Sequence, residues 1–356
     1  MEKRNESVTI AKGIAIFLMV IGHSGCPIFI DNFLSMFNMP LFFILSGFCF
    51  KDKHLTNEKN YFWKKIKGFY LPYIKWSIVF LLMHNIFYKF NIYNGVYGYR
   101  ERPSYIYDLN DFKSHFTNII ISMSGHEQLL GGFWFMKAIF WGTIIFFTIR
   151  RMCKNLTINL LILLLATSFF SFFQLSIPYI GVGFVEFFAA FFIMFGHFYR
   201  NKKFTIEYNV YFNIISIVVV ILGSYIWKAS VVSCNFWQII PYSATAILGS
   251  LVVFNFGHIL EVHQSNISKR LLIYAGKFSF NVLTWHFISF KVLSLCIILL
   301  FGLNIKRLAQ FPVIDEFANK GWWLLYSLIG ITIPMIGTFY YDHLKNRLIN
   351  VILNND

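Results

Sequence analysis

Apolar residues run along this chain in long blocks, separated by short polar stretches in which basic residues predominate. A block of about 20 residues, at 1.5 Å per helical residue, matches the hydrocarbon thickness of a bilayer. Ten such blocks are predicted as transmembrane helices: 8–26, 29–50, 69–90, 131–149, 156–174, 179–199, 210–228, 236–257, 277–301 and 322–341. The expected fold is all-α, a polytopic membrane protein of about ten transmembrane helices. The longest interruption, 91–130, is rich in Tyr and Asn and contains a short apolar piece at 116–123, read as an interfacial or re-entrant helix. No internal repeat or low-complexity linker appears, so residues 1–356 are read as one integral-membrane domain without a separate soluble domain.

Composition supports that pattern. Hydrophobic residues make up 57% of the chain and charged residues only 13%, against roughly 25% charged in soluble domains. The excess of 31 Lys+Arg over 16 Asp+Glu raises nucleic acid as a partner, but the placement of the charges argues for the lipid bilayer instead. Basic residues cluster at Lys3 and Arg4, across 51–68, at Arg150, Arg151 and Lys154, at Arg200, Lys202 and Lys203, at Lys269 and Arg270, and at Lys345 and Arg347. That set holds 18 basic residues and the alternate set of loops holds 8, several of them beside Glu101, Asp108, Asp111, Asp315 and Glu316. The positive-inside rule then puts both termini in the cytoplasm, which agrees with an even number of spans. The expected location is the inner (plasma) membrane, multi-pass, and the Lys/Asn/Ile/Phe usage suits a bacterium. Five scattered cysteines show neither CxxC nor metal-ligand spacing and read as apolar fillers, so no metal is expected. The first apolar block is interrupted by Lys12 and lacks a small-x-small cleavage site, so it is read as a retained helix.

Ionisable residues inside the spans are the candidate chemistry, because charge in hydrocarbon is costly. They are Lys12, His23, Lys75, His84, Lys137, Glu186, His197, His286 and Lys291. Lys75 and His197 lie near helix ends and can snorkel. Lys12 and His23 are eleven residues apart, three helical turns, so they share one face about 16 Å apart along the axis. One stripe thus carries a fixed positive charge toward the cytoplasm and a titratable base toward the outer half. The structural alternative is a snorkelling Lys12 and a packed, hydrogen-bonded His23.

The segment Lys12-Gly-Ile-Ala-Ile-Phe-Leu-Met-Val-Ile-Gly-His23-Ser24 resembles the first-helix signature of the acyltransferase-3 family, a basic residue and a histidine separated by ten positions. Phe37-Asn38-Met39-Pro40-Leu41-Phe42-Phe43-Ile44-Leu45-Ser46-Gly47-Phe48 is similar to the family's second-helix run, with Asn38 where close relatives carry histidine. Lys64-Lys65-Ile66-Lys67 before Leu71-Pro72-Tyr73 resembles its basic cytoplasmic motif, with Lys in place of Arg, which keeps point charges but removes bidentate phosphate contacts. Gly132-Phe133-Trp134-Phe135 and Gly276-Lys277-Phe278-Ser279-Phe280 with His286 resemble two later elements. The matches follow in order from residue 12 to residue 286 and look most like the compact sugar O-acetyltransferases, the fucose-acetylase-like branch among them.

The resemblance implies an O-acyltransferase that carries an acyl group, acetyl by default, from cytoplasmic acyl-CoA (acetyl-CoA) to a sugar hydroxyl of a cell-surface polysaccharide or its lipid-linked precursor. His23 is then the general base, with an ordinary pKa near 6.5 suited to neutral pH. Glu186 would orient or pair with an imidazole or Lys137, or bind the sugar. Lys12, Lys64 and Lys67 would bind the coenzyme A phosphates, and Trp134, Asn38, His286 and Lys137 would stand on the substrate side. A covalent acyl-enzyme through Ser24, Ser46 or His23 is the variant mechanism. A transporter or flippase of a sugar-linked lipid is the competing class, disfavoured by the lack of repeats. The unrelated membrane-bound O-acyltransferase fold lacks the first-helix stripe, and a plain scaffold has no use for Lys12, His23 and Glu186 in lipid.

Overall fold

The structure, a computed structural model, describes residues 5–99, 104–202, 209–262 and 266–353. Lys3, Arg4, Arg100, Glu101, Arg102 and Lys203, used above in the charge pattern, lie outside the described residues, as do both chain ends. The protein is an all-α polytopic membrane protein, about 80% helical, whose strands are limited among the described residues to a two-residue hairpin.

Each predicted block contains a helix. Eight helices among the described residues are long and apolar enough to cross a membrane. Of the other two, Leu156–Phe172 is apolar but has 17 residues, and Phe184–Asn201 carries Glu186, His197 and Arg200 on its 18 residues. In chain order the helices are α1 (Glu6–His23), α2 (Ile28–Ser35), α3 (Asn38–Phe48), α4 (Glu58–Lys65), α5 (Leu71–Lys89), α6 (Leu109–Ser122), α7 (Trp134–Met152) and α8 (Leu156–Phe172). They continue with α9 (Phe184–Asn201), α10 (Val210–Trp227), α11 (Ile239–Val262), α12 (Ile267–Lys277), α13 (Ser279–Leu300), the single turn α14 (Asp315–Phe317) and α15 (Trp323–Leu353).

Several boundaries differ from the sequence expectation, each for a local reason. The block 29–50 is two helices, because the ring of Pro40 cannot coexist with a helical carbonyl at Met36, four residues earlier. The chain breaks at Met36–Phe37, where Phe37 has φ −140°, and Asn38 opens the second piece. The basic stretch 51–68 is mostly helical rather than a loop. A short 3-10 turn (Asp52–Thr56) leads into α4, capped by Asn57. α4 then runs through a π-helical turn (Ile66–Tyr70) directly into α5. The block 179–199 starts later, since residues up to Gly183 form a hairpin pairing Ser176 with Gly183 and Ile177 with Val182. Within 91–130, α6 is opened by a reciprocal Asp108–Asp111 capping box and turns back along α5. Its last turn meets Tyr70, whose hydroxyl donates to the Ile120 carbonyl (2.8 Å), at the far end of α5 from the loop that delivers it. α6 is thus a re-entrant helix.

Two helix crossings bring backbones together. α1 lies on α12, where a Cβ on Gly13 would stand 2.0 Å from the Leu272 carbonyl oxygen and one on Gly276 1.9 Å from that of Thr9. α3 lies on α9 in the same manner, with Gly47 against Ile193 O (1.8 Å) and Gly196 against Ile44 O (1.9 Å). Helices in an apolar solvent associate by such packing, since lipid competes for ordinary hydrophobic contact. α9 also packs on α7 and α8, α1 on α11, and α13 on α15.

Glycine-to-alanine exchange in a helix ordinarily gains about 1 kcal/mol. At Gly47 and Gly276 the sign should reverse, with a loss of about 1–3 kcal/mol from overpacking. Thermal denaturation of purified Gly47→Ala and Gly276→Ala in detergent, followed as loss of the monodisperse peak, checks this; higher stability would contradict the crossings.

Candidate active site

Helix α1 carries both members of the sequence stripe, and each opens into a different cavity. Lys12 lines a cavity of about 310 Å³ together with Ser46, Cys49, His54, Tyr61 and Lys65; this cavity adjoins the basic 51–68 stretch and is called the inner cavity for that reason. Its deeper wall is apolar, formed by Ile16, Phe42, Phe135, Ile139 and Leu283. His23 lines an outer cavity of about 650 Å³ with Asp31, Asn38, His126, Glu127, Gln128 and Trp134. Met19 and Met39 belong to both linings, so the cavities meet at these two side chains.

The continuous α4–π–α5 helix decides which lysine reaches the inner cavity. Tyr61, Lys65, Gly68 and Phe69 recur at helical spacing and all line it. The Lys65 ammonium lies 5.2 Å and 5.3 Å from the ring centroids of Tyr61 and Phe69 and within electrostatic reach of Lys12. Lys64 and Lys67 are exposed and line neither cavity, and Lys67 sits over the Trp63 ring at 5.0 Å. The structure therefore places Lys65 on the inner cavity, and Lys64 and Lys67 away from both. Residues one and two positions away on a helix project about 100° and 200° around the axis and cannot share its cavity.

Beside the outer cavity, one helical turn beyond Met19, His23 Nδ1 and His286 Nε2 are 3.0 Å apart. His286 is fully buried, and its Nδ1 lies 3.0 Å from the carbonyl oxygens of both Val282 and Leu283. Carbonyls only accept, so His286 Nδ1 bears the proton and its Nε2 is left as an acceptor. His23 Nδ1 must then donate to it. That fixes the His23 tautomer, with the lone pair on Nε2, the nitrogen not engaged with His286. The Phe287 ring stacks on His23 at 5.0 Å and holds its plane.

Asn38 is also tied to α1. In the amide orientation that satisfies both its groups, it donates to Ala15 O (2.9 Å) and accepts from Met19 N (3.0 Å). These are the partners of one i→i−4 backbone bond, so Asn38 inserts into the helix ladder midway between Lys12 and His23. It borders the outer cavity, with its amide spent on the backbone rather than on a ligand.

Glu186 and Lys137 line neither cavity. Glu186 Oε2 accepts from Gly183 N (2.8 Å) as a cap on the first turn of α9, and Lys137 Nζ donates to Gly181 O (2.7 Å). Both brace the hairpin before α9, away from the lining of either cavity. Lys291 donates to Gln310 O and lies 5.6 Å from the Phe311 ring, bracing the segment whose Phe311 and Pro312 wall the outer cavity. Ser24 is buried with its hydroxyl donated to Ile21 O (2.8 Å), whereas Ser46 lines the inner cavity.

Two residues singled out by no motif stand in the outer wall. Glu127 Oε2 meets His84 Nδ1 at 2.8 Å, with His84 Nε2 on the Tyr105 carbonyl (2.9 Å) and the Tyr107 ring stacked at 3.4 Å. Asp31 comes from α2. The intramembrane His84 was legible as an unusual residue, but its partner lies 43 positions away in a turn without periodicity. The Tyr61–Lys65–Phe69 spacing, by contrast, was a signal available in the sequence.

The family model described as an acyltransferase domain matches residues 5–341. The chain belongs to the acyltransferase-3 family. No curated protein and no solved structure matches it. The protein is accordingly an acyltransferase of the membrane, and the histidine pair stands inside the matched region.

Replacing His286 by Gln or Ala removes the group that sets the His23 tautomer and should lower the transfer rate by roughly 10²–10⁴-fold, the size of a general-base contribution. The independent check is ¹⁵N NMR of labelled histidine, where His23 should be protonated at Nδ1; protonation at Nε2 would sink this arrangement.

Proposed function

We propose that this protein takes an acyl group, acetyl in the simplest case, from acyl-CoA at the cytoplasmic face and esterifies a sugar hydroxyl of a cell-surface polysaccharide or its lipid-linked precursor. The location proposed is a bacterial inner membrane with both termini cytoplasmic. The observation that carries the reading is the meeting of two chemically unlike cavities at Met19 and Met39, beside His23.

The inner cavity suits the donor. Lys12, Lys65 and His54 supply cationic or titratable groups for phosphates at its mouth, and the apolar shaft beyond them suits a pantetheine arm. The thioester would pass the junction at Met19, about 10 Å of helix from Lys12, and approach His23, about 16 Å from it. The outer cavity suits the acceptor, with Trp134 as an aromatic platform. In the chemical step His23 Nε2 takes the hydroxyl proton as the sugar oxygen attacks the thioester carbonyl. The new C–O bond forms, the C–S bond breaks, and the leaving thiolate recovers the proton from His23. Hydrogen bonding to His286 Nε2 stabilises the transient imidazolium. An acyl-enzyme on Ser46 is the variant compatible with its place in the inner cavity.

The pH dependence has a definite sign. Burial and the neighbouring Lys64, Lys65, Lys53 and Lys51 hold the His54 imidazole below the usual histidine range. A bound polyphosphate favours its protonated form and raises its pKa, so binding takes up a proton and tightens as pH falls. His54→Gln should flatten that dependence.

The deciding experiment is acyl-CoA binding and turnover by the purified protein, wild type beside Lys65→Ala, Lys64→Ala and His23→Ala. Lys65→Ala should weaken donor binding about tenfold while Lys64→Ala changes it little. His23→Ala should retain binding and lose roughly 10²–10⁴-fold in turnover. A folded wild type that binds no acyl-CoA would overturn the reading in favour of a transporter of sugar-linked lipid.

A further inference from the structure

The two cavities differ in charge as well as in side. Every ionisable group named for the inner cavity is basic or neutral, whereas the outer cavity presents the carboxyls of Asp31 and Glu127. Among the described residues its lining contains no lysine or arginine. Asp31 belongs to the helix α2 wall and stands close to the base, since a Cβ placed on Gly22, the residue before His23, would lie 3.5 Å from Asp31 Oδ1.

The opposite wall carries hydrogen-bonding capacity that the protein leaves unused. Glu127 is only 4% exposed, with Oε2 committed to His84 and the buried Tyr93 hydroxyl facing its carboxylate. The adjacent Gln128 accepts from Tyr99 N through its oxygen (3.0 Å), while its amide nitrogen is buried without an acceptor. A buried amide donor without an acceptor is costly unless a ligand meets it. A hydroxyl accepts as well as donates, so a sugar hydroxyl can take the Gln128 amide proton. Trp134, Tyr99 and Phe311 add aromatic surface for the apolar face of such a ring.

We propose that the outer cavity is an acceptor subsite selective for an uncharged or amine-bearing sugar, and that it rejects sugars with a carboxylate or phosphate beside the acylated hydroxyl. This inference rests on the acyl-transfer reading above. An anionic acceptor would bring like charge against Asp31 and Glu127 in a partly desolvated site whose lining holds no described lysine or arginine. Lys137 stands behind that lining, within electrostatic reach of His126 and with its ammonium donated to Gly181 O.

The test uses the full chain in nanodiscs with acetyl-CoA and matched methyl glycosides: the neutral hexoside, its uronate and its 2-amino analogue. The uronate should show a kcat/KM roughly tenfold or more below the neutral glycoside, and the protonated amine analogue a KM no higher than the neutral one. Asp31→Asn should narrow the gap between uronate and neutral acceptor several-fold. Equal or preferential use of the uronate by wild type would overturn the proposal, as would a gap that Asp31→Asn leaves unchanged. The wild-type panel decides even where the variant fails to fold. If acetyl-CoA binds but no glycoside of any charge is acylated, the carbohydrate reading of the function fails, and this inference falls with it.

Discussion

The position of helix α1 depends on backbone touching backbone, and most of the centre depends on α1. A side chain at Gly13 or Gly276 would collide with a carbonyl of the facing helix, so these two glycines set how closely α1 and α12 approach. Gly257 of α11 makes a similar approach, where a Cβ would lie 2.9 Å from Ser7 O. In a bilayer these contacts matter more than apolar burial, because lipid chains solvate leucine as well as another helix does. The depth of Lys12 and His23 follows from them, and the Asn38 amide and the His286 ring then hold the same helix at its middle and its end.

Intramembrane polar groups divide by where their hydrogen bonds go. Glu186, Lys137 and Lys291 each meet a backbone group of a connecting segment, where unpaired peptide groups at membrane depth would be most costly. Their charge serves the loops. His23 differs, because one ring nitrogen is fully determined by a buried neighbour while the ring borders a cavity. Intramembrane charge alone therefore identifies polar groups worth explaining, and the partner decides between brace and chemistry.

Helix α1 borders both cavities. Lys12 and Ile16 face the inner one, His23 and Gly22 the outer one, and Met19 both. The rupture of the next block at Met36–Phe37 helps to open the outer cavity, since the detached α2 brings Asp31, Leu34 and Ser35 into its wall while α3 contributes Met39 and Phe42 to the inner side. The re-entrant α6 returns the chain to the membrane interior and delivers His126, Glu127 and Gln128 to the opposite wall.

The membrane class and the sites of the helices were legible because hydrocarbon imposes a length and an apolarity that no soluble fold shares. The Lys12–His23 stripe was legible for a related reason: eleven residues of one helix have a fixed geometry whatever surrounds them. Pro40 could have announced the break at Met36, and the Tyr61–Lys65–Phe69 spacing the lysine on the inner cavity, had the basic stretch been read as helix. Other features had no local signal. The His23–His286 pair spans 263 positions and the His84–Glu127 pair 43, and neither pairing leaves a period in the chain. Local sequence determines what one helix can present; which groups meet, and hence which nitrogen of His23 is free, is decided only when distant helices are packed at backbone contact.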